Sequence, residues 1–154
     1  MINKLLTVFF ISMLPIVELR GAIPVGAALD LPFFLNYAIC VLGNILPVPF
    51  LIMFSKGLLS YFSKNRRFGY HFKKIINKAD EKAKQIGGFE LLGLFFFVAI
   101  PLPGTGAWTG SLIAAILRLR LIPSFLTILS GVMTSGIIMG VLSFGLFGII
   151  DMII

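Results

Sequence analysis

The chain has 154 residues, of which 58% are hydrophobic and only 12% are charged, and its mean hydropathy is +1.05. Soluble domains carry about 25% charged residues, so this composition argues against a water-soluble globule. A single Cys and a single His argue against a disulfide scaffold, a zinc module and an enzyme built on a His or Cys cluster. The sequence predicts one integral membrane domain, whose net charge of +7 must lie outside the hydrocarbon or at functional points within it.

The first two apolar runs, residues 5–17 and 21–29, are too short to span a bilayer singly. Half a bilayer needs about ten helical residues, so the runs predict two half-helices of a re-entrant hairpin with its turn near Glu18 to Pro24. A signal peptide is the alternative interpretation, but Glu18 and Arg20 interrupt the apolar region that it requires. The third run, residues 31–55, predicts a span that is kinked at Pro47 and Pro49.

The fourth run, residues 89–117, is long enough to span, but Pro101-Leu-Pro-Gly-Thr-Gly106 lies in its middle. Two prolines and two glycines disfavour a continuous helix. The pattern predicts a second hairpin with limbs at about 89–100 and 106–117, and a span kinked by proline is the alternative. The fifth run, residues 121–150, predicts a second full span.

Each half of the chain has the same predicted plan of a hairpin followed by a span. We therefore divide the single domain 1–154 into a first half at 1–58, a basic connector at 59–88 and a second half at 89–154. Short matches, such as Gly21-Ala22 with Gly106-Ala107, accompany this plan. Two units joined after one crossing face opposite ways, so the fold class is an all-α membrane protein with an inverted repeat.

The basic residues support this topology. Nine of them lie between Lys56 and Glu90, which predicts a cytoplasmic connector by the positive-inside rule. A hairpin at 89–117 returns Arg118 and Arg120 to the same side, whereas a single span would place them outside. The connector has helical apolar periodicity with Lys on the other face, as in an amphipathic helix on an anionic inner leaflet. Nucleic-acid binding is the weaker alternative.

Glu18 and Arg20 are the clearest candidates for function, because ionisable side chains within a membrane are costly. Arg20 together with a half-helix start can hold an anion, and Glu18 can take up a proton and couple transport to a proton gradient. A salt bridge between the two that fixes the hairpin is the alternative.

The tip of the second hairpin is the predicted partner site. Its Gly-Thr-Gly turn can expose backbone amides, and two opposed tips would meet near the midplane, where inverted-repeat transporters place substrate. Trp108 either stacks on a ligand or packs, and Asn44 is expected to hydrogen-bond to a hairpin limb. The candidate substrate-binding residues are Glu18, Arg20, Gly21, Pro101, Pro103, Gly104, Thr105, Gly106, Trp108, Thr109 and Gly110.

The segments Glu18-Leu-Arg-Gly-Ala-Ile-Pro24 and Ile100-Pro-Leu-Pro-Gly-Thr-Gly-Ala-Trp-Thr-Gly110 resemble the small multidrug export protein family, a branch of the DedA superfamily. The resemblance implies two re-entrant hairpins and spans in inverted arrangement, with Glu18 and Arg20 in the charged hairpin motif. The wider superfamily is linked to recycling of polyprenyl phosphate carriers, whereas the family name implies drug export. Well-studied DedA proteins are longer than this chain.

We expect a transporter of an anionic lipid, such as undecaprenyl phosphate, in the cytoplasmic membrane. The alternatives are proton-coupled export of cationic drugs and a scramblase-like or structural protein. An enzyme is not expected, because the chain has no His-Glu-x-x-His pair and no Ser/His/Asp set. We expect no cofactor, no metal and no nucleic-acid partner. The expected partners are membrane lipids and a second copy in a homodimer, since one chain is small for enclosing a path.

Overall fold

The computed structural model describes residues 1–63 and 89–153, and these residues form seven α-helices and no strand. The predicted all-helical class is confirmed for this part of the chain. From residue 64 onward, the predicted amphipathic connector lies outside the described residues. In chain order the helices are α1 (Ile2–Met13), α2 (Glu18–Ala28), α3 (Phe33–Ile45), α4 (Val48–Ser63), α5 (Phe89–Ala99), α6 (Ala107–Ile116) and α7 (Leu121–Ile153).

The break between α1 and α2 lies earlier than the sequence predicts. Helix α1 ends at Met13, and Leu14 is extended, with φ −69° and ψ 136°. This conformation is favoured for a residue that precedes proline, here Pro15. The prediction of a turn from Glu18 to Pro24 is wrong, because these residues belong to α2 and Pro24 lies inside that helix.

The break between α5 and α6 lies where the sequence predicts it. The predicted limbs 89–100 and 106–117 correspond to α5 and α6 with ends that differ by one residue. Between them Gly104 has φ +82° and Gly106 has φ +131°. Glycine adopts such angles without steric cost, so the glycines allow the chain to leave α5 and enter α6 within a few residues.

Two stretches are long and apolar enough to cross a membrane, Phe33–Ser55 and Leu121–Gly145. They match the two full spans that the sequence predicts. The first stretch is divided into α3 and α4 around Pro47, because Pro47 and Pro49 have no N–H to bond to the preceding turn. The predicted interruption at these prolines is confirmed.

Helix packing buries several polar side chains within an apolar core and leaves many large apolar side chains exposed. Helix α1 packs on α3, α2 on α7, α5 on α7 and α6 on α4. Large apolar side chains such as Phe34, Phe50 and Ile122 are exposed. A surface of this kind suits a hydrocarbon environment. The buried polar or charged residues of the described chain are Ser12, Glu18, Asn36, Asn44, Ser55, Ser111, Ser124, Ser135 and Ser143.

Candidate functional site

A cleft of about 560 Å³ lies between the α1–α2 break and the α5–α6 break, and Met139 of α7 also contributes to its lining. It brings together residues that are far apart in the sequence, as the predicted meeting of two tips requires. The predicted site residues that line it are Glu18, Arg20, Gly21, Pro101, Pro103, Gly104, Thr105 and Thr109.

The Glu18 carboxylate caps the N-terminus of α6. Its Oε2 accepts a hydrogen bond from the Ala107 N–H at 3.3 Å, and its Oε1 accepts one from the Trp108 N–H at 3.1 Å. The first N–H groups of a helix have no partner within the helix and carry partial positive charge. A buried carboxylate is therefore stabilised at this position, and Glu18 is only 4% exposed.

The Arg20 guanidinium binds backbone carbonyls on the other side of the α5–α6 break, where α5 ends. Its Nη2 donates to the carbonyl oxygens of Val98 at 3.3 Å and Ile100 at 3.1 Å, and its Nη1 donates to that of Leu102. The last carbonyls of a helix carry partial negative charge and lack partners within the helix. Arg20 thus stabilises the C-terminal end of α5.

The two charged side chains of α2 therefore each stabilise a helix end with the opposite partial charge. Glu18 binds the N-terminus of α6, and Arg20 binds the C-terminal end of α5. Each side chain hydrogen-bonds to the backbone around the α5–α6 break, which differs from the salt bridge considered as the alternative at the sequence level. In this state the start of α6, predicted to bind an anion, is occupied by the protein's own carboxylate. Among the described residues, no group of three His, Cys, Asp or Glu could hold a metal ion.

Gly106 makes the contact between Glu18 and α6 possible. A Cβ added at Gly106 would overlap the Glu18 Oε2 atom. The φ of +131° and ψ of −165° of Gly106 also lie in a region that is essentially limited to glycine. Both the close approach and the backbone conformation therefore require glycine here.

Besides Gly106, two further predicted site residues lie outside the cleft lining. The Trp108 indole N–H donates to the Met13 carbonyl at 3.1 Å, so it links α6 to the end of α1. A Cβ added at Gly110 would lie 2.7 Å from the Val98 Cγ2 atom, so Gly110 serves close packing between α6 and α5. We therefore assign both residues to the support of the cleft.

A second, much smaller cavity lies behind Glu18 and contains two polar residues that were not predicted as site residues. Asn44 of α3 and Ser135 of α7 line it together with Glu18, Gly106 and Ala107. The Asn44 Oδ1 and Ser135 Oγ atoms are buried and have no hydrogen-bond partner among the described residues. The bond to a hairpin limb predicted for Asn44 is thus not made by its Oδ1 atom. An asparagine within an apolar span was the available signal in the sequence, whereas Ser135 resembled the other small residues of α7.

A family model described as "Putative small multi-drug export protein" matches residues 18–138. The match begins at Glu18 and contains every residue of the cleft that was predicted from the sequence. No curated protein and no solved structure matches the chain.

Proposed function

Because this chain belongs to the small multidrug export protein family, we propose that it is a transporter that moves an anionic lipid, such as a polyprenyl phosphate, across the cytoplasmic membrane. The family and the two apolar stretches Phe33–Ser55 and Leu121–Gly145 together indicate a membrane location. The family description supports transport, and the chemistry of the cleft supports the choice of substrate.

The observation that carries the proposal is the different accessibility of the two charged side chains in the cleft. Arg20 is half-buried and lines the open cleft together with Thr105 and Thr109, and its three bonds to backbone carbonyls leave two of the five guanidinium N–H groups for a ligand. Glu18 is buried, and both of its oxygens already accept backbone hydrogen bonds. A cationic substrate would need an accessible carboxylate, whereas a phosphate suits an accessible guanidinium and hydroxyls. The cleft therefore favours an anion.

Apolar surface next to the cleft supports a lipid rather than a soluble anion. Ile16 lines the cleft and is 94% exposed. An almost entirely apolar groove of about 780 Å³ lies nearby. It is lined by Met13, two residues before Pro15 of the cleft, and by six residues between Leu46 and Phe54 around the α3–α4 kink. A hydrocarbon chain suits such a groove, because it leaves no polar group in the groove without a hydrogen-bond partner.

For the architecture we propose two re-entrant hairpins, α1–α2 and α5–α6, in an inverted repeat of the kind expected for the DedA superfamily. The packing pattern supports this arrangement. The first limbs, α1 and α5, pack on α3 and α7 of their own halves. The second limbs, α2 and α6, pack on α7 and α4 of the opposite halves. Gly43 of α3 faces the Phe9 carbonyl of α1, just as Gly131 of α7 faces the Phe95 carbonyl of α5. We also propose a homodimer with the connector 59–88 on the cytoplasmic side.

The test is transport in proteoliposomes that contain the full chain and a fluorescent polyprenyl phosphate, with and without a proton gradient. We expect Arg20→Gln to reduce translocation at least tenfold, because the guanidinium that binds the phosphate is lost. Lys4→Gln is the matched control: it also removes a cation that donates to a carbonyl, here Leu29 O at 2.7 Å, but Lys4 is outside the cleft. Wild-type protein that neither binds nor moves the lipid would refute the proposal.

Drug export is the second candidate, and the family description favours it. In that case Glu18 is the shared site for a proton and a cationic drug. Glu18→Gln would then abolish drug efflux from the same vesicles while Arg20→Gln retains it, whereas the lipid proposal predicts that both variants lose transport. Lipid equilibration that is indifferent to headgroup and gradient would instead indicate a scramblase-like protein.

A further inference from the structure

The small cavity behind Glu18 holds two polar atoms whose hydrogen-bonding capacity is unused. Asn44 and Ser135 are each 2% exposed, and the Asn44 Oδ1 and Ser135 Oγ atoms have no partner in the part of the chain that the structure describes. Buried polar atoms nearly always have partners, and an exception often marks a functional group. Here both exceptions line one cavity together with Glu18 and the start of α6.

The chemistry of the three side chains explains why these atoms are unpaired. An ionised carboxylate and an amide oxygen are both acceptors, so Glu18 cannot donate to Asn44 Oδ1. A protonated carboxyl group has one O–H donor and could donate to that oxygen. The Ser135 hydroxyl can both donate and accept, so it can bond to the carboxyl group in either form. The unpaired Asn44 acceptor therefore fits the protonated state of Glu18 better than the ionised one.

Protonation would also change the start of α6. The Ala107 and Trp108 N–H groups now donate to the Glu18 carboxylate. If Glu18 becomes neutral and turns toward Asn44, these N–H groups lose their anionic partner. They are then free to bind another anion, as exposed helix N-termini do.

We propose that Glu18 is a proton-dependent cap on the substrate site. In its ionised form it occupies the α6 N-terminus, and in its protonated form it bonds to Asn44 and Ser135 and leaves the Ala107 and Trp108 amides to the anionic headgroup. One proton from water is taken up for each anion bound and is released when the anion leaves. This inference rests on the proposed anionic substrate and assigns the proton as the coupling ion.

The surroundings of Glu18 support a proton as the ion. The small cavity has no room for a water molecule, so a hydrated cation does not fit in it beside Asn44 and Ser135. Arg20, which also lines this cavity, is a charged group near Glu18. Helix α6 carries no ionisable side chain, and residues 121–145 of α7 carry none either. The remaining ionisable groups on the helices packed against α2 are Lys4 of α1 and Tyr37 and Cys40 of α3.

The experiment measures binding and proton uptake with farnesyl sulfate, using the full chain in nanodiscs in weakly buffered solution. The sulfate headgroup keeps its charge over the pH range used, so any proton taken up binds to the protein. We expect about one proton per probe bound, and an affinity that falls as the pH rises. Glu18→Gln should bind the probe with no proton uptake and with little pH dependence.

Asn44→Leu provides the second test and does not depend on the behaviour of Glu18 variants. We expect probe binding to weaken about tenfold, because the protonated carboxyl loses its acceptor, while the unliganded protein stays at least as stable as wild type. Asn36→Leu is the matched control. It removes a buried amide that donates to the Ile23 carbonyl at 2.9 Å, so it should lower stability and keep the uptake of one proton.

The outcomes separate this inference from the proposed function. Probe binding without proton uptake, or unchanged binding by Asn44→Leu, would overturn the cap while leaving an anion transporter intact. Probe binding that depends on Na⁺ rather than on pH, when sodium and choline salts are compared, would also overturn the cap. A protein that binds no anionic probe and exports cationic drugs would overturn the proposed function as well.

Discussion

At the scale of single residues, Gly106 determines whether Glu18 can reach α6. We expect Gly106→Ala to lower the free energy of unfolding by ~2–5 kcal/mol, since it adds backbone strain and an overlap with the carboxylate. It should also abolish transport. Reversible unfolding in detergent measures the first effect, and the proteoliposome assay measures the second.

Gly104→Ala separates backbone strain from the overlap with Glu18 as causes of the lost stability. Gly104 also has a positive φ, of +82°, but a Cβ there would meet no atom within 4 Å. It should therefore show the strain alone and a smaller loss of stability. Equal losses for the two variants would mean that the contact with Glu18 contributes nothing.

At the scale of helices, Gly43 and Gly131 set the distance between each first limb and the long helix beneath it. A Cβ at Gly43 would overlap Ser12 Oγ, and one at Gly131 would lie 2.8 Å from Val98 Cβ and 3.1 Å from the Phe95 carbonyl. We expect each change to alanine to cost about 1–3 kcal/mol of unfolding free energy, because overpacking moves helices apart.

Gly93→Ala is the control for both of these helix contacts. A Cβ at Gly93 meets nothing within 4 Å, so alanine should be neutral or should stabilise α5 by up to about 1 kcal/mol through its higher helix propensity. If Gly43→Ala and Gly131→Ala behaved like Gly93→Ala, the two contacts would not be tight, and the comparison of the two halves would lose its support.

At the scale of the whole molecule, the proposed inverted repeat predicts on which side of the membrane each charge lies. In a chain with Cys40→Ala, single cysteines can replace Lys4, Asn65 and Arg120. We expect a membrane-impermeant maleimide to label Lys4→Cys from outside and the other two only after the membrane is opened. Labelling of Arg120→Cys from outside would instead indicate that residues 89–117 form one kinked span.

Much of the architecture follows from local sequence. Apolar run length and proline position predict α5, α6 and the interruption around Pro47 to within about a residue, because both signals act on the backbone nearby. The first turn is not where the sequence predicts it, because the charges at Glu18 and Arg20 are typical of a loop. In the structure they lie within α2, where the backbone around the α5–α6 break satisfies both of them.

The amino-acid sequence is sufficient to show that this chain is apolar and helical, that it is interrupted at Pro47 and at the proline- and glycine-rich segment 101–106, and that Glu18 and Arg20 are its unusual charges. What those charges contact becomes apparent only in the folded protein. Glu18 meets α6 and Arg20 meets the end of α5 across sequence separations of about 80 to 90 residues, and no local pattern encodes such pairs. The unpaired Asn44 and Ser135 atoms likewise become apparent only when five helices pack around one cavity, since hydrogen-bond satisfaction depends on all neighbours together.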